Sequence, residues 1–65
     1  MKYKINDNVK LKVDKKYSNG DSIKSGTSGK IITVYNLSES YNIDFENAKM
    51  YHRVLEKDLE LVLSA

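Results

Sequence analysis

The stretch formed by residues 26–35 constrains the fold of this chain more than any other part of the sequence. Two glycines three residues apart open it, and glycine permits backbone conformations that a Cβ atom forbids. A run rich in β-branched and aromatic residues follows, and such residues suit a pleated, half-buried surface. We therefore expect a tight turn that leads into a central strand. The adjacent Ile31 and Ile32 would face opposite sides of a regular strand, which predicts either two covered faces or a β-bulge.

Two further segments, residues 8–13 and 41–45, alternate between apolar and polar side chains. A period of two is typical of a strand with one buried face. The residues predicted to point inward are Val9, Leu11 and Val13 in the first segment and Tyr41, Ile43 and Phe45 in the second. Together with the central strand, these segments predict a sheet that makes up most of the domain.

A long polar connection, residues 14–25, separates the first strand from the central one. It contains the turn-forming pair Asn19-Gly20 and exceeds the usual length of a hairpin loop, which is typical of functional loops. Tyr17 and Ile23 are its only large apolar residues, and we expect one of them to pin the loop to the body of the domain.

The last third of the chain fits two structures. Residues 50–55 alternate as a strand does, and residues 59–63 would form a final short strand after a turn. However, apolar residues also recur at steps of three and four, and no Gly or Pro interrupts the good helix formers. The residues at helical spacing are Ala48, Tyr51, Leu55, Leu59 and Val62. Periodicity alone leaves both interpretations open.

Four short motifs occur in an order that resembles a known family. They are Val9-Lys10-Leu11, Gly26-Thr27-Ser28-Gly29, Tyr41-Asn42-Ile43-Asp44-Phe45 and Asp58-Leu59-Glu60-Leu61-Val62. This order resembles the SH3-like barrels of the electron-transport accessory and nitrile hydratase β-subunit type, and small bacterial and phage SH3-like proteins of unknown function. The resemblance implies an all-β fold, a five-stranded SH3-like barrel with one helical turn near residues 56–58. The alternative is an antiparallel sheet plus a C-terminal helix. Either way residues 1–65 form a single domain.

Composition narrows the class of protein. The net charge of +2 hides an asymmetry, because residues 1–30 carry eight Lys against three Asp, whereas residues 31–65 carry three basic side chains against six acidic ones.

There is no Cys, which removes disulfides and thiolate metal sites. No apolar run approaches the ~20 residues of a membrane span, and no secretory signal precedes the first strand, so we expect a cytoplasmic protein. The abundance of Lys, Asn, Ile and Tyr is typical of AT-rich genomes, which points to a bacterium or a phage.

No arrangement of residues predicts catalysis. His52 is the only histidine, the carboxylates are scattered, and no nucleophile and base can be paired from their spacing. The segment 26–30 lacks the spacing of a phosphate-binding loop. We therefore predict a protein that is not an enzyme and that uses no cofactor and no metal.

Binding is the function class that the sequence favours. The long loop and the end of the central strand supply residues that would line a groove for a protein partner, namely Lys15, Lys16, Tyr17 and Tyr35. Tyr17 is the candidate for an exposed anchor. The alternative is a nucleic-acid-binding barrel whose Lys-rich face consists of Lys10, Lys12 and Lys30. The oligomeric state and the identity of the partner stay open.

Overall fold

The structure is a computed structural model, and it describes residues 2–62. Apart from one short 3₁₀ turn, Glu56–Asp58, the regular elements in this range are strands. They are β1 (Asn8–Leu11), β2 (Lys15–Lys16), β3 (Ser22–Ile23), β4 (Ser28–Tyr35), β5 (Ser40–Phe45), β6 (His52–Leu55) and β7 (Leu59–Leu61). The predicted all-β class is therefore confirmed.

Five strands form one antiparallel sheet in the order β6-β5-β4-β1-β7, and β2 pairs with β3 in a separate two-stranded sheet. The 3₁₀ turn joins β6 to β7, which confirms the helical turn predicted near residues 56–58. The alternative of a C-terminal helix is wrong, because β6 and β7 each pair with a distant strand. The predicted final strand, residues 59–63, is observed as Leu59–Leu61, and residue 63 lies outside the described range.

The central strand β4 carries a bulge. Its register with β5 shifts between Ile31 and Thr33, and Ile32 is the extra residue. Ile32 is 38% exposed whereas Ile31 is fully buried, so the outer face is not covered here. Of the two explanations offered for the adjacent isoleucines, the bulge is the correct one. The bulge also re-aims the last residues of β4, which carry Tyr35 to the outer side of the sheet.

Gly29 lies in β4 opposite Phe45 of β5, and no side chain fits there. A Cβ atom at this position would lie 2.5 Å from Cγ2 of Ile43 and 3.0 Å from the carbonyl oxygen of Asp44. We expect Gly29→Ala to lower the free energy of unfolding by about 1–3 kcal/mol, because the backbone must shift to relieve the overlap. Urea denaturation measures this, with Ser28→Ala as the control. Equal stabilities of the two variants would contradict the prediction.

The inner faces of the main sheet enclose a single apolar cluster. Its buried members are Val9, Leu11, Ile23, Ile31, Tyr41, Ile43, Phe45, Val54 and Leu59. The alternation predicted for the first strand holds for its first two inward residues but not for Val13. This residue follows the end of β1 and is 42% exposed, because the chain turns away to start the β2–β3 hairpin.

The N-terminal segment ties distant strands of the sheet together. The backbone N–H of Tyr3 donates a hydrogen bond to the hydroxyl of Tyr41 in β5 (3.2 Å), and the hydroxyl of Tyr3 donates to the carbonyl of Leu59 in β7 (3.3 Å). Since β5 and β7 lie on opposite sides of β4 in the strand order, the sheet must curl around its core. Within residues 2–62, however, no ladder joins β6 to β7, so the sheet is open between its two edge strands.

The long connection folds as a hairpin rather than as an irregular loop. Strands β2 and β3 pair, and the turn between them contains Gly20 with a positive φ of 95°, a conformation that favours glycine. Ile23 is buried in the core, and Tyr17 packs against it. Both apolar residues of the segment therefore anchor the hairpin to the body of the domain, whereas the sequence predicted that one of them would.

Candidate functional site

A groove lies on the outer side of the sheet where the turn between β4 and β5 meets β6. Its volume is about 520 Å³. The residues that line it, called the outer groove below, are Val34, Tyr35, Asn36, Leu37, Ser38 and Arg53. The turn spans residues 36–39, with the N–H of Glu39 donating to the carbonyl of Asn36 at 3.3 Å. Antiparallel pairing of β5 with β6 brings Arg53 across from Asn42, and β4 brings Tyr35 to the same region.

Tyr35 and Arg53 form the rigid part of the outer groove. The guanidinium carbon of Arg53 lies 3.7 Å from the centroid of the Tyr35 ring, a cation–π geometry that stabilises exposed pairs by about 0.5–1 kcal/mol. The side-chain amide of Asn42 donates to the hydroxyl of Tyr35 at 2.9 Å. The Tyr35 side chain is thus held by its hydroxyl and by one face of its ring, so that its orientation does not depend on a bound partner.

The outer groove combines an exposed apolar side chain with a positive charge. Leu37, at the tip of the turn, is fully exposed, and no carboxylate is among the lining residues. Within the part of the chain that the structure describes, the ion pairs involve other side chains, and none includes Arg53. The groove therefore offers an apolar contact beside a cation that the fold leaves unneutralised.

A polar cluster, separate from the outer groove, lies on the inner side of the sheet, between the hairpin and the start of β6. The rings of Tyr17 and His52 stack with centroids 3.7 Å apart and planes 8° from parallel. The hydroxyl of Tyr17 is buried and has no hydrogen-bond partner among residues 2–62. Burial, and then the negative charge of Asp58, raise the pKa of the Tyr17 phenol. Tyr17 therefore acts in the structure as a packing residue.

Asp21 is the hub of this inner cluster. One of its carboxylate oxygens lies 2.7 Å from Nε2 of His52, and it also accepts a hydrogen bond from the side-chain amide of Asn19 at 3.0 Å. The backbone N–H of Lys49 donates to both carboxylate oxygens at 3.2 Å. The bond from His52, followed by that from Asn19, lowers the pKa of Asp21 to about 2. Because an ionised carboxylate only accepts, His52 must carry a proton on Nε2.

The structure separates the residues that the sequence grouped in one binding groove. Successive side chains of a strand point to opposite faces, and in β6 His52 is buried whereas its neighbour Arg53 is exposed. The Tyr17 ring stacks on His52, and the Tyr35 ring contacts Arg53. The two tyrosines therefore lie on opposite faces of the sheet at β6. Tyr17 is half-buried instead of forming an exposed anchor.

The two lysines of the predicted groove lie with the hairpin. Lys15 pairs with Asp58 at 3.0 Å and is half-buried, whereas Lys16 is exposed. Neither lines the outer groove. Its main components that sequence reasoning missed are Leu37 and Arg53. One signal was present, since Arg53 is the only arginine of the chain and lies in the segment 50–55, which alternates as a strand does.

The three lysines of the alternative site lie on a surface of mixed charge. Lys10 pairs with Glu60 at 3.3 Å, and Lys30 faces Asp44 across the β4–β5 ladder. Lys12 is exposed just beyond β1. Acidic neighbours on adjacent strands reduce the positive potential that phosphate groups would meet, so the face is less basic than its lysines alone indicate.

The remaining chemistry of the described region is sparse. Among residues 2–62, no three His, Asp or Glu side chains converge as metal ligands do, and no helix in this range has the length and apolar character needed to cross a membrane. Comparison with known proteins adds no assignment, because no family model, curated protein or solved structure matches this chain.

Proposed function

We propose that this chain is a non-enzymatic binding module, or the accessory subunit of a larger assembly, that engages a protein partner through the outer groove. The observation that carries the proposal is the Arg53 guanidinium held on the Tyr35 ring beside the fully exposed Leu37. Tyrosine and arginine are enriched among the residues that dominate the energetics of protein interfaces. Preorganisation by Asn42 also lowers the entropic cost of binding.

Charge favours a protein over the nucleic-acid alternative. The outer groove holds a single cation, whereas nucleic-acid affinity depends on several phosphate contacts. The predicted basic face has acidic side chains beside Lys10 and Lys30. The resemblance to SH3-like barrels agrees with a binding role and, like the cytoplasmic location, stays a prediction.

Two leucine-to-serine variants, one inside the outer groove and one outside it, test the proposal. Peptides are selected on the immobilised protein from a random library, and their affinities are then measured by titration. We expect Leu37→Ser to weaken binding by about tenfold or more, as loss of a central apolar contact does. The side chain of Leu37 is fully exposed, so the fold should not change.

The matched control is Leu61→Ser, because Leu61 is an exposed leucine on β7, at the other edge of the sheet. It should leave the affinity unchanged. Equal effects of the two substitutions, or no selected peptides, would argue against the outer groove. Binding of a generic DNA duplex that falls steeply as salt is added would favour the nucleic-acid alternative instead.

A further inference from the structure

We propose that Asn19 is a deamidation site that the fold protects as long as the β2–β3 hairpin is closed on Asp21. Once Asn19 has been converted to a carboxylate, the hairpin closes less favourably. Asn19 does not line the outer groove, so the site is independent of the function proposed above.

The dipeptide Asn19-Gly20 is the reactive feature of the hairpin. Of the six asparagines in the sequence, Asn19 alone precedes a glycine. Asparagine is a thermolabile residue, and a following residue without a Cβ atom leaves its own backbone nitrogen open to the asparagine side chain. Both residues of the pair are exposed, so water reaches them.

The reaction joins the Gly20 nitrogen to the side chain of Asn19. The nitrogen gives up its proton and attacks Cγ of Asn19, and the new N–Cγ bond closes a succinimide ring. The Nδ2 group takes up a proton and leaves as ammonia. Water then cleaves one of the two C–N bonds of the ring, which gives aspartate or isoaspartate, and no reactant besides water is consumed.

Three hydrogen bonds oppose this reaction in the folded hairpin. The N–H of Gly20 donates to the carbonyl of Tyr17 at 3.1 Å, which keeps the proton on the attacking nitrogen. The side-chain amide of Asn19 donates to the carboxylate of Asp21 at 3.0 Å, and its Oδ1 accepts the N–H of Asp21 at 3.0 Å. Because the attack removes the first donor and the departure of ammonia removes the second, the reaction must break at least two of these bonds.

Asp21 couples this protection to the closure of the hairpin. Its carboxylate, which is buried, also lies 2.7 Å from Nε2 of His52 and accepts the N–H of Lys49 at 3.2 Å. When the hairpin opens away from β6, these bonds and those to Asn19 are released together. The rate of deamidation should therefore follow the population of the opened hairpin, as other local-opening reactions do.

The product differs from Asn19 in the group that faces Asp21. An ionised carboxylate has no N–H to donate, so two acceptors of the same charge would meet where the Asn19 amide now binds Asp21. Like charges at hydrogen-bond distance repel each other, and isoaspartate also lengthens the backbone within the turn. The loss of ammonia makes the change permanent.

Peptide mapping by mass spectrometry during incubation at mildly alkaline pH tests the protection. We expect Asn19 of the folded wild-type protein to deamidate about tenfold or more slowly than in the same protein unfolded in urea. Asp21→Ala should raise the rate in native buffer by about tenfold or more, because Asn19 loses the acceptor of its amide. The matched control is Asp44→Ala, which removes an exposed carboxylate of β5 and should leave the rate unchanged. Equal rates in folded and unfolded wild type, or in the two variants, would overturn the protection by Asp21.

Circular dichroism shows whether Asp21→Ala is folded. If it is not, the wild-type protein in urea below its unfolding transition replaces it. The rate at Asn19 should then rise with the urea concentration, because urea favours the opened hairpin. A rate that stays constant would overturn the dependence on opening.

The effect of the product is tested with Asn19→Asp, which places the new carboxylate beside Asp21. We expect faster hydrogen exchange at the amides of β2 and β3 than in the wild-type protein. Asn36→Asp is the matched control, because it makes the same change of charge at an exposed asparagine in the turn after β4. Equal exchange in the two variants would show that the carboxylate at position 19 does not oppose closure, against this inference.

Discussion

Replacing Tyr41 by alanine is expected to lower the free energy of unfolding by about 3–5 kcal/mol, the usual cost of deleting a buried aromatic side chain. Tyr41 is fully buried on the inner face of β5, and its ring lies 5.6 Å from that of Tyr3. Small domains are stable by about 0.05–0.15 kcal/mol per residue, which is about 3–10 kcal/mol for 65 residues, so this loss is a large share of the stability and equals the whole of it at the lower end of the range. Urea denaturation followed by circular dichroism measures it.

Tyr41→Phe separates packing from hydrogen bonding in this prediction. The hydroxyl of Tyr41 accepts from the N–H of Tyr3 and donates to Glu56 at 3.1 Å. Burial raises the pKa of the Tyr41 phenol, so the donor stays neutral. Loss of the hydroxyl should cost about 1 kcal/mol, well below the cost of alanine. If phenylalanine were as destabilising as alanine, the hydroxyl network would be the dominant contribution and the packing argument would be wrong.

The strands were predictable because their side-chain alternation is local. Tyr41, Ile43 and Phe45 alternate with polar residues and are all buried. The C-terminal third was ambiguous because its residues have good helix propensity, and propensity does not report pairing with distant strands. What settles it is that β6 pairs with β5 and β7 with β1, a consequence of tertiary structure that no local pattern contains.

The candidate site was only partly predictable for the same reason. Tyr35 was identified, whereas the alternation in residues 50–55 did not show which side of the strand Arg53 would take. That the two side chains meet depends on the cross-strand register, which the sequence does not contain, and on the bulge in β4, which the sequence left as one of two alternatives. Tyr17 was predicted to be an exposed anchor because the long loop was expected to line a groove. The hairpin instead folds inward and stacks it on His52.

The second large effect concerns the acid stability of the hairpin. Asp21 is the hub that bonds the hairpin to His52 and Lys49, and its pKa is lowered from 3.8 to about 2, first by the hydrogen bond from His52. A lowered pKa means that the folded state binds the proton more weakly than the unfolded state. The stabilisation by Asp21 is therefore fully present above pH 3.8 and is lost as the pH falls through about 2.

Asp21→Asn should remove this contribution, because an amide cannot ionise and presents an N–H group to one of its donors. At neutral pH we expect the variant to be less stable than the wild type, with faster hydrogen exchange at the amides of β2 and β3. Between pH 3.8 and about 2 its unfolding free energy should fall less steeply than that of the wild type. Asp44→Asn is the control, since that carboxylate is exposed on β5 and outside the cluster. A wild-type acid slope in Asp21→Asn would show that another carboxylate controls the transition and that the hairpin is held chiefly by its apolar anchors.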